Sequence, residues 1–284
     1  SNLTIMERRE IWNKAEAEWK KKISETDQLI KHMSERATNG DLPPDAELKS
    51  IGAKVQQLGD EKLSQHFQSV VSTAAIQNRM YDAPPGAGES YAQRLRSEIA
   101  TAQDGRYTEE QAKLLDKLDK TAVTVRKNVN EDPMGWVNRR QLEVPVGEII
   151  APGTADEFGK PVPQAMKKIQ LQQIDFSPNN PNLDVQLRQQ FDDAKAVARY
   201  YNQPVQVFSK GQRDALKDFI GNGGPAMLHV IGKIVANGGD DATAALREIS
   251  KDAPEAFMIG KLMQEGGDPY LITSAAKEIQ KRAA

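Results

Sequence analysis

Hydrophobic positions in the first forty residues fall into two rows, each with a spacing of seven. Ile5, Trp12, Trp19, Thr26 and Met33 form one row, and Ile23, Ile30 and Ala37 form the other. Wound at 3.6 residues per turn, the two rows merge into a single apolar seam with charged residues interleaved on the other faces, which predicts one long helix. Gly40 follows the last periodic residue and suits a left-handed cap, and Asp41-Leu42-Pro43-Pro44 reads as a turn. A second stripe runs through Leu48, Ile51, Val55 and Leu58, then Leu63, Phe67, Val70, Val71 and Ala74. Its steps of three and four are again helical. Gly52 and Gly59 each cost a helix about 1 kcal/mol relative to alanine, so a break or bend is expected near Gly59-Asp60. Two long stripes joined by a short turn predict a helical hairpin.

The second stripe ends before Ala83-Pro84-Pro85-Gly86-Ala87-Gly88. A third helix is expected from about Glu89 to Ala102, on Tyr91, Leu95 and Ile99. A fourth opens on Thr108-Glu109-Glu110-Gln111, where the Gln111 side chain can return to the Thr108 amide, and it carries Leu114, Leu115, Leu118, Ala122, Val125 and Val129. An antiparallel long-helix bundle over residues 1–131 is the economical packing.

Residues 132–184 change character. Asp132-Pro133 reads as an N-cap and a first-turn proline before a short helix through Met134, Trp136 and Val137. Prolines then recur at 145, 152, 161, 163, 178 and 181. They remove amide donors wherever a sheet would need them, so a loop-rich connector is expected, with at most an edge strand near Ile149-Ile150. From residue 185 to 284 the pattern is helical again. Val185, Phe191, Ala194, Val197, Ala198 and Tyr201 line one helix, and Ser209 with Gln212 makes another reciprocal cap. Short stripes follow on Met227, Leu228, Ile231 and Ile234; on Ala242, Leu246 and Ile249; on Phe257, Met258, Leu262 and Met263; and on Leu271, Ile272 and Ile279. Glycine pairs separate them, which predicts a small multi-helix domain. The fold class expected is therefore all-α: a long-helix bundle, a connector and a small helical domain.

Composition narrows the function classes. The chain has 284 residues with 38 Lys+Arg against 40 Asp+Glu, a net charge of −2 that draws in neither nucleic acid nor anionic lipid. The one basic cluster, Lys20-Lys21-Lys22, lies among Glu16, Glu18 and Glu25 and reads as a solvated helix face. The absence of cysteine removes disulfides, thiolate nucleophiles and Cys-ligated metals. No apolar run approaches the roughly 20 residues needed to span a bilayer, and no signal segment is seen. The opening Ser1-Asn2-Leu3 lacks an initiator methionine, so a piece of a longer protein is expected.

Candidate chemistry is sparse. Gly88-Glu89-Ser90-Tyr91 and the later Gly260-Lys261-Leu262-Met263-Gln264 resemble the catalytic Glu-Ser and Gly-Leu-Met-Gln elements of goose-lysozyme-like lytic transglycosylases, in which a raised glutamic acid protonates a glycosidic oxygen. The second element stands some 170 residues too far along and contains an inserted lysine, and that family's Asn-Ala-Gly element is missing. A carboxylate near a helix start accounts for Glu89 without catalysis. His32, His66 and His229 lack metal-ligand spacing, Asp192-Asp193 and Asp240-Asp241 suit helix starts, and Gly221-Asn222-Gly223-Gly224 lacks the Lys-Ser/Thr of a phosphate loop. No catalytic, cofactor or metal residue is assigned. The candidate site is an interaction seam of Trp12, Trp19, Ile23, Ile30 and Met33, where large apolar side chains on one line fit a packing partner.

One order of weaker motifs remains. Asp132-Pro133-Met134-Gly135-Trp136 is followed by Ile174-Asp175-Phe176-Ser177 and by Ala196-Val197-Ala198-Arg199-Tyr200-Tyr201-Asn202-Gln203-Pro204-Val205. Phe208-Ser209, Leu216, Asp252-Ala253-Pro254 and Glu265-Gly266-Gly267-Asp268-Pro269 come after. Over residues 132–284 this order resembles a region of large phage and prophage virion proteins, which often carry a lytic transglycosylase domain as well. The resemblance implies a non-catalytic structural fragment acting in or near the virion, in DNA ejection or envelope passage. The catalytic domain, if present, would then lie elsewhere in the full-length protein. Expected partners are other virion proteins or another copy of the chain. The expected location is the virion, or the bacterial cytoplasm before assembly. Two alternatives stay open: a peptidoglycan-cleaving lysozyme-like enzyme using Glu89, and a bacterial coiled-coil adaptor.

Overall fold

The structure, a computed structural model, describes residues 4–41, 43–102, 108–146, 165–250 and 254–283. Among these the chain is all-α apart from one two-stranded ribbon. It divides into two compact units, Ser1–Val125 and Arg126–Ala284, and the division falls inside a helix.

The first unit begins with α1, Ile5–Thr38, a single helix of 34 residues. Thr4 and Glu7 cap it reciprocally: the Thr4 amide donates to Glu7 Oε2 at 2.7 Å and the Glu7 amide to Thr4 Oγ1 at 3.3 Å. Gly40 adopts the left-handed conformation expected after its end. The second stripe is cut in two. α2 (Asp45–Leu58) stops at Gly59, whose φ of +63° is the left-handed geometry glycine tolerates. Asp60 then opens α3 (Glu61–Asp82) by accepting from the Leu63 amide at 2.8 Å. The expected hairpin is thus a three-helix assembly in which Ile30 and Met33 of α1 pack with Ile51 and Val55 of α2 and Leu63 and Val70 of α3.

The C-terminal half of α3 serves a second cluster. Met80 packs there with Ala92 of α4 (Pro85–Ala102) and with Leu118 and Ala122 of α5 (Glu109–Glu131). α4 begins four residues earlier than the sequence suggests, because Pro85 supplies the fixed φ of a first helical residue. Where the two clusters meet, the buried Gln77 donates to Thr121 Oγ1 at 2.9 Å and Thr38 Oγ1 at 3.3 Å. Tyr81 donates to the Thr38 carbonyl at 2.6 Å. These bonds satisfy buried polar groups that would otherwise cost about 1–3 kcal/mol each.

The second unit takes in the last turn of α5. Gln203 donates to Asn130 Oδ1 at 2.7 Å, and Arg213 to the Glu131 carbonyl at 3.3 Å, so the expected boundary at 131 gives way to one at 125. Asp132 caps α6 (Pro133–Arg140) through the Gly135 amide at 3.0 Å. β1 (Glu143–Pro145) and β2 (Met166–Lys168) pair antiparallel, with Val144 opposite Lys167. The edge strand expected at Ile149-Ile150 lies outside the described residues.

In its described residues the connector is not a free linker. Ile169, Ile174 and Phe176 are buried, and the Phe176 ring meets Phe208 and Phe219 edge-on at 6.1 and 6.4 Å. Lys167 reaches the buried Asp193 of α7 (Leu183–Tyr201) at 2.7 Å. Prolines bar a regular sheet here, yet the apolar residues between them still gain by leaving water. Val185, expected on the buried face of α7, points to solvent.

The hub of this unit is α9 (Gly224–Gly238), which packs against α7, α8 (Lys210–Gly221), α10 (Ala242–Ser250), α11 (Pro254–Gln264) and α12 (Pro269–Ala283). Its Met227, Val230, Ile231 and Ile234 are fully buried. The expected cap Ser209–Gln212 is present, and Gln190 donates to Gln212 Oε1 at 3.1 Å and to the Val207 carbonyl at 2.6 Å. Glu248 accepts from the Val207 amide and, at 3.0 Å, from the Phe208 amide. Met258, Leu262 and Leu271, expected in the core, are exposed, because α11 and α12 bury Ala256, Ile259 and Gly260, and Ile272 and Ala276, instead.

The turn between α8 and α9 admits only glycine at 223. Its φ is +63°, and a Cβ there would stand 2.5 Å from the backbone nitrogen of Gln280 in α12. Gly223→Ala is expected to destabilise the protein by about 1–3 kcal/mol through strain and a forced shift of α12, read as a lower denaturant midpoint.

Candidate interaction surface

The five seam residues share one helix, but the structure does not treat them alike. Ile30 and Met33 are fully buried and Ile23 is packed at the edge of the same cluster. Trp19 is 42% exposed and Trp12 71% exposed. The seam is continuous along α1, while its covering is not.

Helix lengths explain the difference. At about 1.5 Å per residue the 34 residues of α1 extend roughly 51 Å, whereas the 14 of α2 extend roughly 21 Å. α2 therefore runs out at Leu58, where the Trp19 indole N–H donates to the Leu58 carbonyl at 3.1 Å, filling one of the acceptors a helix end leaves open. Every residue from 4 to 22 is exposed, including Ile5, Met6 and Ile11. Beside Trp19 an open groove of about 690 Å³ lies between α1 and α2. Its apolar lining is Ala15, Trp19, Leu29 and Leu58, and charges of both signs, Glu18, Lys22, Glu25 and Lys54, line it as well. Ala15, Leu29 and Leu58 fall outside the heptad rows because they sit three residues from the Trp row or on another helix.

The bare half is electrically quiet. Lys20 pairs with Glu16 at 2.6 Å, Lys22 with Glu18 at 3.6 Å and Lys21 with Glu25 at 3.9 Å, each one helical turn apart and solvent-exposed. At the start of the covered half, Asp27 accepts from Lys31 at 2.6 Å and faces His66 Nδ1 of α3 at 2.8 Å. Chiefly the Lys31 bond, and after it His66, holds the Asp27 carboxyl below its ordinary value.

Several of the other motifs from the sequence are engaged in local contacts. Ser90 donates its hydroxyl to the Gly86 carbonyl within α4 at 2.8 Å. Gly260 is held small by α10, since a Cβ would come within 2.5 Å of Leu246 Cδ2. Asp241 pairs with Lys195 at 3.0 Å. Among the described residues no group of three or more His, Asp or Glu is placed to hold a metal, and no helix is long and apolar enough to cross a membrane. Compared with protein-family models, curated proteins and solved structures, the chain finds no match in any of the three.

Two outcomes follow from the split seam. Ile30→Ala should cost about 2–5 kcal/mol in a denaturant titration, while Trp12→Glu, on the bare half, should stay within about 0.5 kcal/mol of the parent when both are titrated at a dilution that keeps them monomeric. A carboxyl whose folded pKa is depressed contributes stability above its unfolded value and loses it as the pH falls. The melting-temperature difference between the parent and Asp27→Asn is therefore expected to be full at neutral pH and to shrink below about pH 3.8.

Proposed function

We propose that the chain is a non-catalytic helical assembly module of a phage or prophage virion-associated protein. The observation that carries the assembly role is the bare half of α1, which keeps Ile5, Met6, Ile11 and Trp12 in water on a helix that is otherwise packed and capped. Of these, Ile5 and Trp12 stand one heptad apart on the line that continues to Trp19, and large apolar side chains exposed along one line mark an interaction site more often than an idle face. The virion setting is supported by the order of motifs over residues 132–284 and by no other feature. Glu89 lies in the second turn of α4, beside a serine committed to its own helix, and nothing in the arrangement favours the lysozyme-like alternative.

The test is incorporation. In particles purified from a strain encoding the chain, the parent should be found in stoichiometric amount, and Trp12→Glu should be reduced at least tenfold at equal expression. Purified chain on a cell-wall zymogram should leave no clearing. Clearing that disappears in Glu89→Gln, or particles that lack the parent chain, would overturn the reading.

A further inference from the structure

We propose that the bare half of α1 pairs antiparallel with the same segment of a second copy, about a two-fold axis midway between Trp12 and Ala15. This rests on the assembly reading and names its partner.

Three observations select this occupant. The first is where the surface lies. Ala15, Lys22 and Leu29 are each three residues on from Trp12, Trp19 and Thr26, so the two rows form the paired a and d rows of a helix–helix seam. The first row is bare at residues 5 and 12, and the second lines the open groove beside α2. A straight helix laid along both rows reaches the mouth of that groove.

The second observation is size. In an antiparallel pair, residues at one level have numbers that sum to a constant, here 27. Trp12 of each copy then lies over Ala15 of the other, so a large side chain meets a small one twice at the centre. Trp19 lies against the aliphatic stem and guanidinium of Arg8, which suits an indole face. Ile5 comes level with Lys22 at the mouth of the groove. The overlap thus spans the bare half and stops where α2 begins to cover α1.

The third observation is charge. The same register brings Arg9 of each copy beside Glu16 of the other, giving two opposite-sign contacts at the flanks. A parallel, in-register pair would stack Arg8 on Arg8 and Lys22 on Lys22 in the seam, with no ion pair in exchange. Like charges in contact reject that arrangement. An overlap of about two and a half heptads is short for free peptides, which must first become helical. Here α1 is already ordered by its Thr4–Glu7 cap at one end and by α2 and α3 at the other, so less entropy is lost on pairing.

Because the chain has no cysteine, placed thiols report the register directly. By light scattering over a concentration series the mass should rise from 31.4 kDa toward about twice that value. Trp12→Glu should hold it at 31.4 kDa with unchanged helical circular dichroism. Under mild oxidation the double variant R9C/E16C should give a covalent dimer in at least five times the yield of R9C alone. Two copies of position 9 stand about 14 Å apart along the axis in this register, beyond the roughly 7 Å that a disulfide spans. A monomer at every concentration, or R9C alone crosslinking as well as the double variant, would overturn the proposal. If the parent still enters particles in that case, the assembly reading survives with a different protein on the surface. If it enters none, both fall.

Discussion

The organising constraint in the first unit is a mismatch of helix lengths. One apolar seam runs the full 34 residues of α1, but α2, which returns alongside it, has only 14, and α3 then turns back over the same half of α1. The hydrophobic gain on burial is proportional to the apolar area removed from water, so Ile30 and Met33 anchor the three-helix core while Trp12, on the same line, gains nothing within this unit. The break at Gly59 sets where the covering ends. Had the second stripe continued as one helix, α2 and α3 could not have folded back into a shared core with α1. The Trp19 indole on the Leu58 carbonyl marks the junction, closing the end of α2 while leaving much of its ring in solvent.

The second unit solves a different problem. Its helices are short, and its approach from residue 132 is rich in proline, so backbone regularity supplies less of the cohesion. Buried polar bonds take up that role. Gln190 and Gln212 tie α7 to α8 and hold the Val207 carbonyl, while Glu248 holds the amides of Val207 and Phe208 in the same segment. In a low-dielectric interior such bonds are stronger than at the surface and costly to break, which makes an irregular segment behave as a fixed part of the core. α9, apolar on nearly every side, can then sit at the centre with neighbours all round.

Much of this architecture is legible in the order of residues alone. Local chemistry fixes local geometry, so the seam on α1, the caps at Asp132 and at Ser209–Gln212, and the turns at Gly40 and Gly59 follow from neighbouring residues. What a stripe cannot say is what covers it. Val185, Met258 and Leu271 satisfy the helical period as well as their buried neighbours do, and they are exposed because none of the described elements passes over them. The connector shows the converse, since its prolines announce irregular backbone and conceal that Ile174 and Phe176 are core residues.

The same division runs through the candidate surface. The sequence by itself determined the line Trp12, Trp19, Ile23, Ile30 and Met33, because a seven-residue spacing on an α-helix has one geometric meaning. Only the tertiary structure decided that the line is consumed at Ile30 and Met33 and left open at Trp12. Burial depends on which other helices reach a given height along α1, and that reach is set by breaks, turns and lengths scattered over distant parts of the chain.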